Sequence, residues 1–318
     1  MRNTSLTSVL LILLLANTLP VQALQDSDNE SANENGNGNA HSSFSAEVRV
    51  GAEYDSNVSV DEIDAASEQS DYAAILGAQF EYQHEFNGAA EISLGYDFTQ
   101  ILYNEFSNLD RQTHMLSADL KHKVKAVDIG VSYHYIDSKL DNDDFMTMKR
   151  ASPYASMFLS RKIFARAAYV YTDKEIINRS ARDANTDTGE LDVYWFRRGL
   201  RSYFNIGYRY KNENANAARF DYKSNSVKLR YIQRFQLFER LAKLELAWRY
   251  EDRDYSSPTP SIQQDRADER HRWEIDLEIP VLEDAAVLFY YKFSDYDSNL
   301  PRADYRQHVA GTEFVYRW

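Results

Sequence analysis

"FSAEVRVGAEYD" (residues 44–55) alternates without a break. Phe44, Ala46, Val48, Val50, Ala52 and Tyr54 fall on one face; Ser45, Glu47, Arg49, Gly51, Glu53 and Asp55 fall on the other. Successive side chains of a strand point to opposite faces, whereas a helical period would drag these charges into the apolar stripe. The segment therefore reads as a strand. Its apolar face is as long as the roughly 9–11 residues of a membrane-crossing strand. The pattern returns at 90–98 (Ala90, Ile92, Leu94, Tyr96, Phe98), at 242–250 (Ala242, Leu244, Leu246, Trp248, Tyr250) and at 285–293 (Ala285, Val287, Phe289, Tyr291, Phe293), each time with polar or charged residues between.

The connections alternate in length. Short turns are expected near Asn87-Gly88, Lys125-Ala126, Arg161-Lys162, Arg198–Leu200, Gln236–Phe238 and Leu282-Glu283. Longer polar loops are expected at 59–70, 104–110, 138–147, 175–188, 211–221, 252–268 and 295–303. Asn-Gly is a strong hairpin signal. Counting runs gives about 14 strands, an even number as bacterial up-and-down transmembrane barrels require. In such a barrel the short turns and both termini are periplasmic and the longer loops face outward. A soluble sandwich or lipocalin-like barrel shares the period but would bury the apolar face inside.

The chain's start supports export. "MRNTSLTSVLLILLLANTLPVQA" has basic Arg2, an apolar run over Val9–Ala16 and the small-residue ending Val21-Gln22-Ala23. It is expected to be a signal peptide over 1–23 rather than an anchor, because a spanning helix needs roughly 20 apolar residues. Residues 24–43 are almost wholly polar and are expected to form a disordered periplasmic tail before a barrel over 44–318. The chain has 23 Tyr, 16 Phe and no Cys. Abundant tyrosine suits the aromatic girdles of a barrel in a Gram-negative outer membrane. Zero cysteine excludes disulfides, thiolate catalysis and thiolate metal sites. A net charge of -13 argues against nucleic acid as a partner.

The second face of the strands points into the lumen. Its acidic members lie early, at Glu47, Glu53, Glu91 and Asp97, and its basic members later, at Arg209, Lys228, Arg230, Lys243 and Arg249. Two opposed walls of this kind would set a transverse field across a wet lumen and pass small polar or charged solutes. A network of ion pairs without transport is the competing reading, because unpaired charges in a dry interior are costly. No connection is long enough for a full plug, although 252–268 has the length to fold inward.

Chemistry finds little support. Neither G-x-S-x-G nor H-E-x-x-H occurs. His134 falls on the lumen face, where Ser132 or Ser156 are the candidates to meet it. No catalytic residue, metal site or cofactor is expected. The acidic segments "DSNVSVDEID" (55–64) and "DSKLDNDD" (137–144) lack the glycine-centred spacing of a Ca²⁺ loop and read as solvated.

Tyr-Asp-Ser-Asn occurs twice, at 54–57 and 296–299. Both copies lie where a strand leaves the outer rim, and strands 1 and 13 flank the closing strand. Asp55 continues the lumen face and Asp297 the lipid face, so Tyr54, Asp55, Asn57, Tyr296, Asp297 and Asn299 read as an interfacial tyrosine followed by turn formers. "GAEYDSNVSV" (51–60) resembles the first barrel strand of surface lipoprotein assembly modifier proteins, through Gly51, Tyr54, Asp55, Asn57 and Val58. That likeness covers the barrel, not the helical-repeat domain of those proteins, and implies a display accessory with a lipoprotein client. The ending "GTEFVYRW" resembles the C-terminal signal read by the barrel assembly machinery, carried by Phe314, Tyr316 and Trp318. The remaining expected partners are outer-membrane lipid and lipopolysaccharide.

Overall fold

The computed structural model describes residues 41–318 apart from Asn87; the expected signal peptide and most of the expected tail lie outside the described residues. The alternating segments become fourteen strands: β1 (His41–Asp55), β2 (Asp71–Phe86), β3 (Ala90–Tyr103), β4 (Arg111–Val124), β5 (Val127–Leu140), β6 (Asp143–Ser160), β7 (Ile163–Ile176), β8 (Ala184–Phe196), β9 (Ser202–Ala215), β10 (Tyr222–Leu237), β11 (Arg240–Thr259), β12 (Gln264–Pro280), β13 (Ala285–Ser298) and β14 (Tyr305–Arg317). Each pairs antiparallel with its chain neighbours, and β1 closes on β14 through Val48↔Tyr316, Ala52↔Thr312 and Tyr54↔Ala310. Closure leaves no sheet edge, so every ladder group has a partner within the wall, as a strand in lipid requires.

The faces are inverted relative to a soluble barrel. Val50, Leu116, Leu120, Ile206, Leu229 and Phe289 are exposed on the outside, while Glu53, Glu190, Asp192 and Asn205 are buried inside. An apolar exterior of this extent needs a lipid solvent. Aromatic rings gather near the end that carries the termini: Trp195 on Phe204 at 5.6 Å and Phe204 on Tyr231 at 4.6 Å. Outward Tyr54 and Tyr72 pair at 5.2 Å near the other rim.

Several strand boundaries differ from the sequence reading. The first strand begins at His41 rather than Phe44, because polar His41, Ser42 and Ser43 continue the ladder against Glu85, His84 and Gln83. Segments 138–147 and 252–268 are mostly strand, not loop, and 175–188 is strand at both its ends. Their ladders run on past the apolar band, where charged and polar residues are frequent on both faces and the hydrophobic period breaks down. Thus Lys223↔Asp254 and Ser224↔Arg253 continue β10–β11, leaving only residues 260–263 between β11 and β12. Segment 252–268 does not fold inward. The inward segment is 56–70, between β1 and β2.

Candidate functional site

Residues 56–70 form a finger that lies across the lumen at the loop end. Its root is a latch. Asp55 accepts from Asn57 N (3.0 Å) and from Gln307 Nε2 of β14 (2.8 Å), and Asn57 Nδ2 donates to the Arg306 carbonyl (3.0 Å). The finger then pairs with itself through Ser59↔Ala66 and Val60↔Ala65. Asp61–Ile63 makes one 3₁₀ turn, closed by Asp64 at φ 50, a left-handed conformation that Asp tolerates.

Apolar packing seats the finger on two walls. Val58 is buried with Ala73, Ile101, Tyr103, Phe106 and Leu109, the last two from loop 104–110. Val60 is buried with Phe145, Met146 and Ile176 of β6 and β7, across the barrel from β1. Asp71 holds loop 104–110 beside it by accepting from Glu105 N and Phe106 N.

The tip carries the charge. Asp61 accepts from Arg272 Nη2 at 2.7 Å, Tyr296 OH at 3.1 Å and Tyr305 OH at 2.5 Å, with Arg270 Nη1 at 3.9 Å. Asp64 sits between Arg182 (2.5 Å) and Arg266 (3.0 Å). Asp268 in turn binds Arg266 and Arg270. Burial pushes both finger carboxyls up. The guanidiniums of Arg272 and Arg270 outweigh it at Asp61, and those of Arg266 and Arg182 outweigh it at Asp64, so both are held below the usual carboxylate range. Glu62, between them in sequence, goes the other way: burial raises its carboxyl despite the pull of Arg111.

Deeper in the lumen the charges pair between nearby strands. Arg209 and Arg150 share Glu190, Lys228 binds Asp192, and Arg230 and Lys243 share Glu245. On the early strands Arg49 meets Glu47 and Asp97, Lys121 meets Glu91, and Glu53 accepts from Tyr290 OH. The two expected walls are thus not isolated sectors of one sign; the cations named here find a carboxylate on their own strand or one or two strands away. Arg249 is the exception in this set, with no carboxylate within 4.0 Å among the described residues. It stands between Lys228 and Arg272 in a row of three cations across β10, β11 and β12.

The two Tyr-Asp-Ser-Asn copies play different parts. Tyr54 faces out and Asp55 is buried, whereas Tyr296 is buried and Asp297 exposed. The aspartates do not form one site. Tyr296 reaches the finger at Asp61, and Asn299 anchors the β12 edge by accepting from Ala267 N (3.1 Å). Phe314, Tyr316 and Trp318 face outward, and Trp318 exchanges two backbone hydrogen bonds with Ala46 at the seam. The Ser–His candidates do not meet. Ser132 lies by the Ser152 carbonyl, and His134 Nδ1 has no hydrogen-bond partner among the described residues.

The finger's acids were visible in the sequence only as a solvated loop. Their arginine partners lie far away in the chain, at separations of 211 for Asp61–Arg272, 202 for Asp64–Arg266 and 118 for Asp64–Arg182. No local period reports such a pairing.

No family model and no curated protein matches the chain. Solved structures do. A loop L8 deletion mutant of OmpT, an outer membrane protein of Vibrio cholerae, matches with a TM-score of 0.53 at 8% identity, covering 88% of this chain and 99% of that one. Outer-membrane expressed OmpT of Vibrio cholerae gives 0.52 at 8% identity over 88% and 98%. An anion-selective porin from Comamonas acidovorans gives 0.50 at 8% identity over 88% and 100%. Identity this low speaks to architecture: the chain has the fold of a bacterial outer-membrane β-barrel.

Proposed function

We propose that the protein is a channel for small charged solutes, narrowed at its outer mouth by finger 56–70, with both termini in the periplasm. The observation that carries this reading is a contrast in wetness. Midway and toward the termini, the inward side chains of Arg49, Asp97, Lys121 and Lys243 keep 22–35% of their surface exposed. At the finger, Asp64, Arg266, Asp268 and Arg270 keep 1–4%, and Asp61, Arg182 and Arg272 keep 15%; mid-lumen Glu190 and Asp192 are as dry, at 4%, beneath the wetter cations. A barrel that only needed a stable interior has no use for the first arrangement, because wet ion pairs contribute little. A water-accessible charged vestibule closed off by a dry clasp suits conduction under control. The surrounding partners are outer-membrane lipid and lipopolysaccharide, with the assembly machinery reading the outward Phe314, Tyr316 and Trp318.

Planar-bilayer conductance of the chain lacking residues 1–23 tests this. Ion-selective steps, more frequent when Asp61→Asn and Asp64→Asn are combined, are expected. A heat-modifiable, folded barrel that stays silent in both forms overturns the channel. Gly51, Asp55 and Asn57, which carry the resemblance to a display accessory, each have a task at the seam or the finger's root.

A further inference from the structure

Beyond the finger, at the outer mouth, lies a cavity of about 490 Å³. Arg179, Arg182, Arg219, Arg266 and Arg302 line it, with Ile63, Phe220 and Leu300 as its apolar part. Five guanidiniums and no carboxylate border it among the described residues, in a chain that carries 49 acidic and 36 basic residues. Arg182 and Arg219 stack on Phe220 at 4.1 and 4.7 Å, which fixes their planes. Arg179, Arg219 and Arg302 are exposed and hold no ion pair among the described residues. Arg182 and Arg266 do, and they share one partner, Asp64 of the finger, while Arg266 also holds Asp268.

We infer that this cavity binds a small organic anion bearing a phosphate or carboxylate, and that binding releases the finger. A guanidinium fork matches either group in two parallel hydrogen bonds. The volume falls within the range of small-molecule sites, roughly 300–1,000 Å³. An anion drawn in by Arg179, Arg219 and Arg302 reaches Arg182 first, and then Arg266, buried while the finger is seated, as Asp64 leaves it. The ligand and Asp64 then compete for the same donors. Binding favours the open finger, and by linkage an open finger favours binding.

The inference rests on the channel reading, and its test separates the two. Glucose 6-phosphate is titrated calorimetrically into the detergent-refolded barrel, then added to the loop side of a bilayer. The expected results are binding of glucose 6-phosphate but not glucose, and affinity weaker by on the order of tenfold or more in Arg179→Gln/Arg219→Gln/Arg302→Gln. All three residues lie on exposed loops, so heat-modifiable migration should be unchanged. Asp64→Asn should bind more tightly than the native chain, and conductance of the native barrel should rise with the ligand. No binding, or equal binding by the triple variant, overturns the site. Displacement of the sugar phosphate by lower concentrations of lipopolysaccharide assigns the cavity to lipid phosphate and overturns the solute trigger. If Asp61→Asn/Asp64→Asn conducts but the native barrel ignores bound glucose 6-phosphate, only the coupling falls. If that double variant is silent while the ligand binds, the channel reading falls instead.

Discussion

Replacing Asp64 by Asn is the sharpest perturbation of the clasp. The side chain keeps its shape and one oxygen acceptor but loses the charge that lies between Arg182 and Arg266, at 2.5 and 3.0 Å. Arg266 is 2% exposed, so water cannot replace the lost carboxylate at that guanidinium. Removing one partner of such a buried pair costs about 3–5 kcal/mol. Asn still accepts a hydrogen bond and Arg266 keeps Asp268, so the lower end, about 3 kcal/mol, applies. At about 1.4 kcal/mol per factor of ten, the closed-to-open ratio of the finger falls on the order of a hundredfold. Asp61→Asn acts on Arg272 in the same network, so the pair should give less than the sum of the two. Single-channel open probability is the readout. Glu68→Gln, an exposed acid on the same finger, is the control and should change nothing. A folded Asp64→Asn barrel with native open probability refutes the idea that charge at the tip holds the finger.

Acid should open the channel. Asp61 and Asp64 lie below their ordinary 3.8 in the closed state, so their contribution is complete above that value and is lost as pH falls through the lowered ones. Glu62 has the opposite sign. Its raised carboxyl suits the closed finger when neutral, and closure weakens as pH climbs from 4.5 through the raised value. Conductance should therefore show a minimum in mild acid, and Glu62→Gln should flatten only the alkaline arm. In the lumen, Arg249→Gln should shift the reversal potential toward cation selectivity more than Lys228→Gln, because Lys228 is already matched by Asp192 at 2.9 Å. Equal shifts would count against the pairing described. At the seam, a Cβ on Gly51 would collide with the Thr312 carbonyl oxygen and sit 2.9 Å from the Glu313 Cα. Gly51→Ala should cost about 1–3 kcal/mol, seen as a lower temperature for the loss of heat-modifiable migration.

The barrel was legible because each membrane-crossing strand repeats one local rule. Val48 and Val50 point to lipid while Glu47 and Arg49 point inward, and no distant residue is needed to say so. Strand ends were less legible. Above the apolar band, Glu251, Arg253 and Tyr255 face inward between polar Asp252 and Asp254, so the ladder persists while the signal fades. The functional element was hidden for a different reason. "SVDEID" is short, acidic and without period, which is also how a solvated loop looks. Only closure of the barrel brings Arg266, Arg270 and Arg272 to it. The charged lumen residues were identifiable by parity, but not their partners: Glu190 and Glu245, which neutralise the basic strands, sit among the cations they serve.

The separations across the finger also bear on how the molecule is made. Asp55, Asp61 and Asp64 belong to the first strand and its loop, while Gln307, Tyr305, Arg272 and Arg266 belong to the last three strands. Contacts this remote in sequence form late, after the entropy of closing the whole chain has been met. During insertion the finger's tip and root therefore stay unlatched until β12, β13 and β14 have joined, and a barrel that stalls short of closure holds the finger by its apolar contacts alone. Docking of the finger's tip thus records completion: the same three strands that seal the wall supply Arg266, Arg272, Tyr296 and Tyr305, which hold its acids.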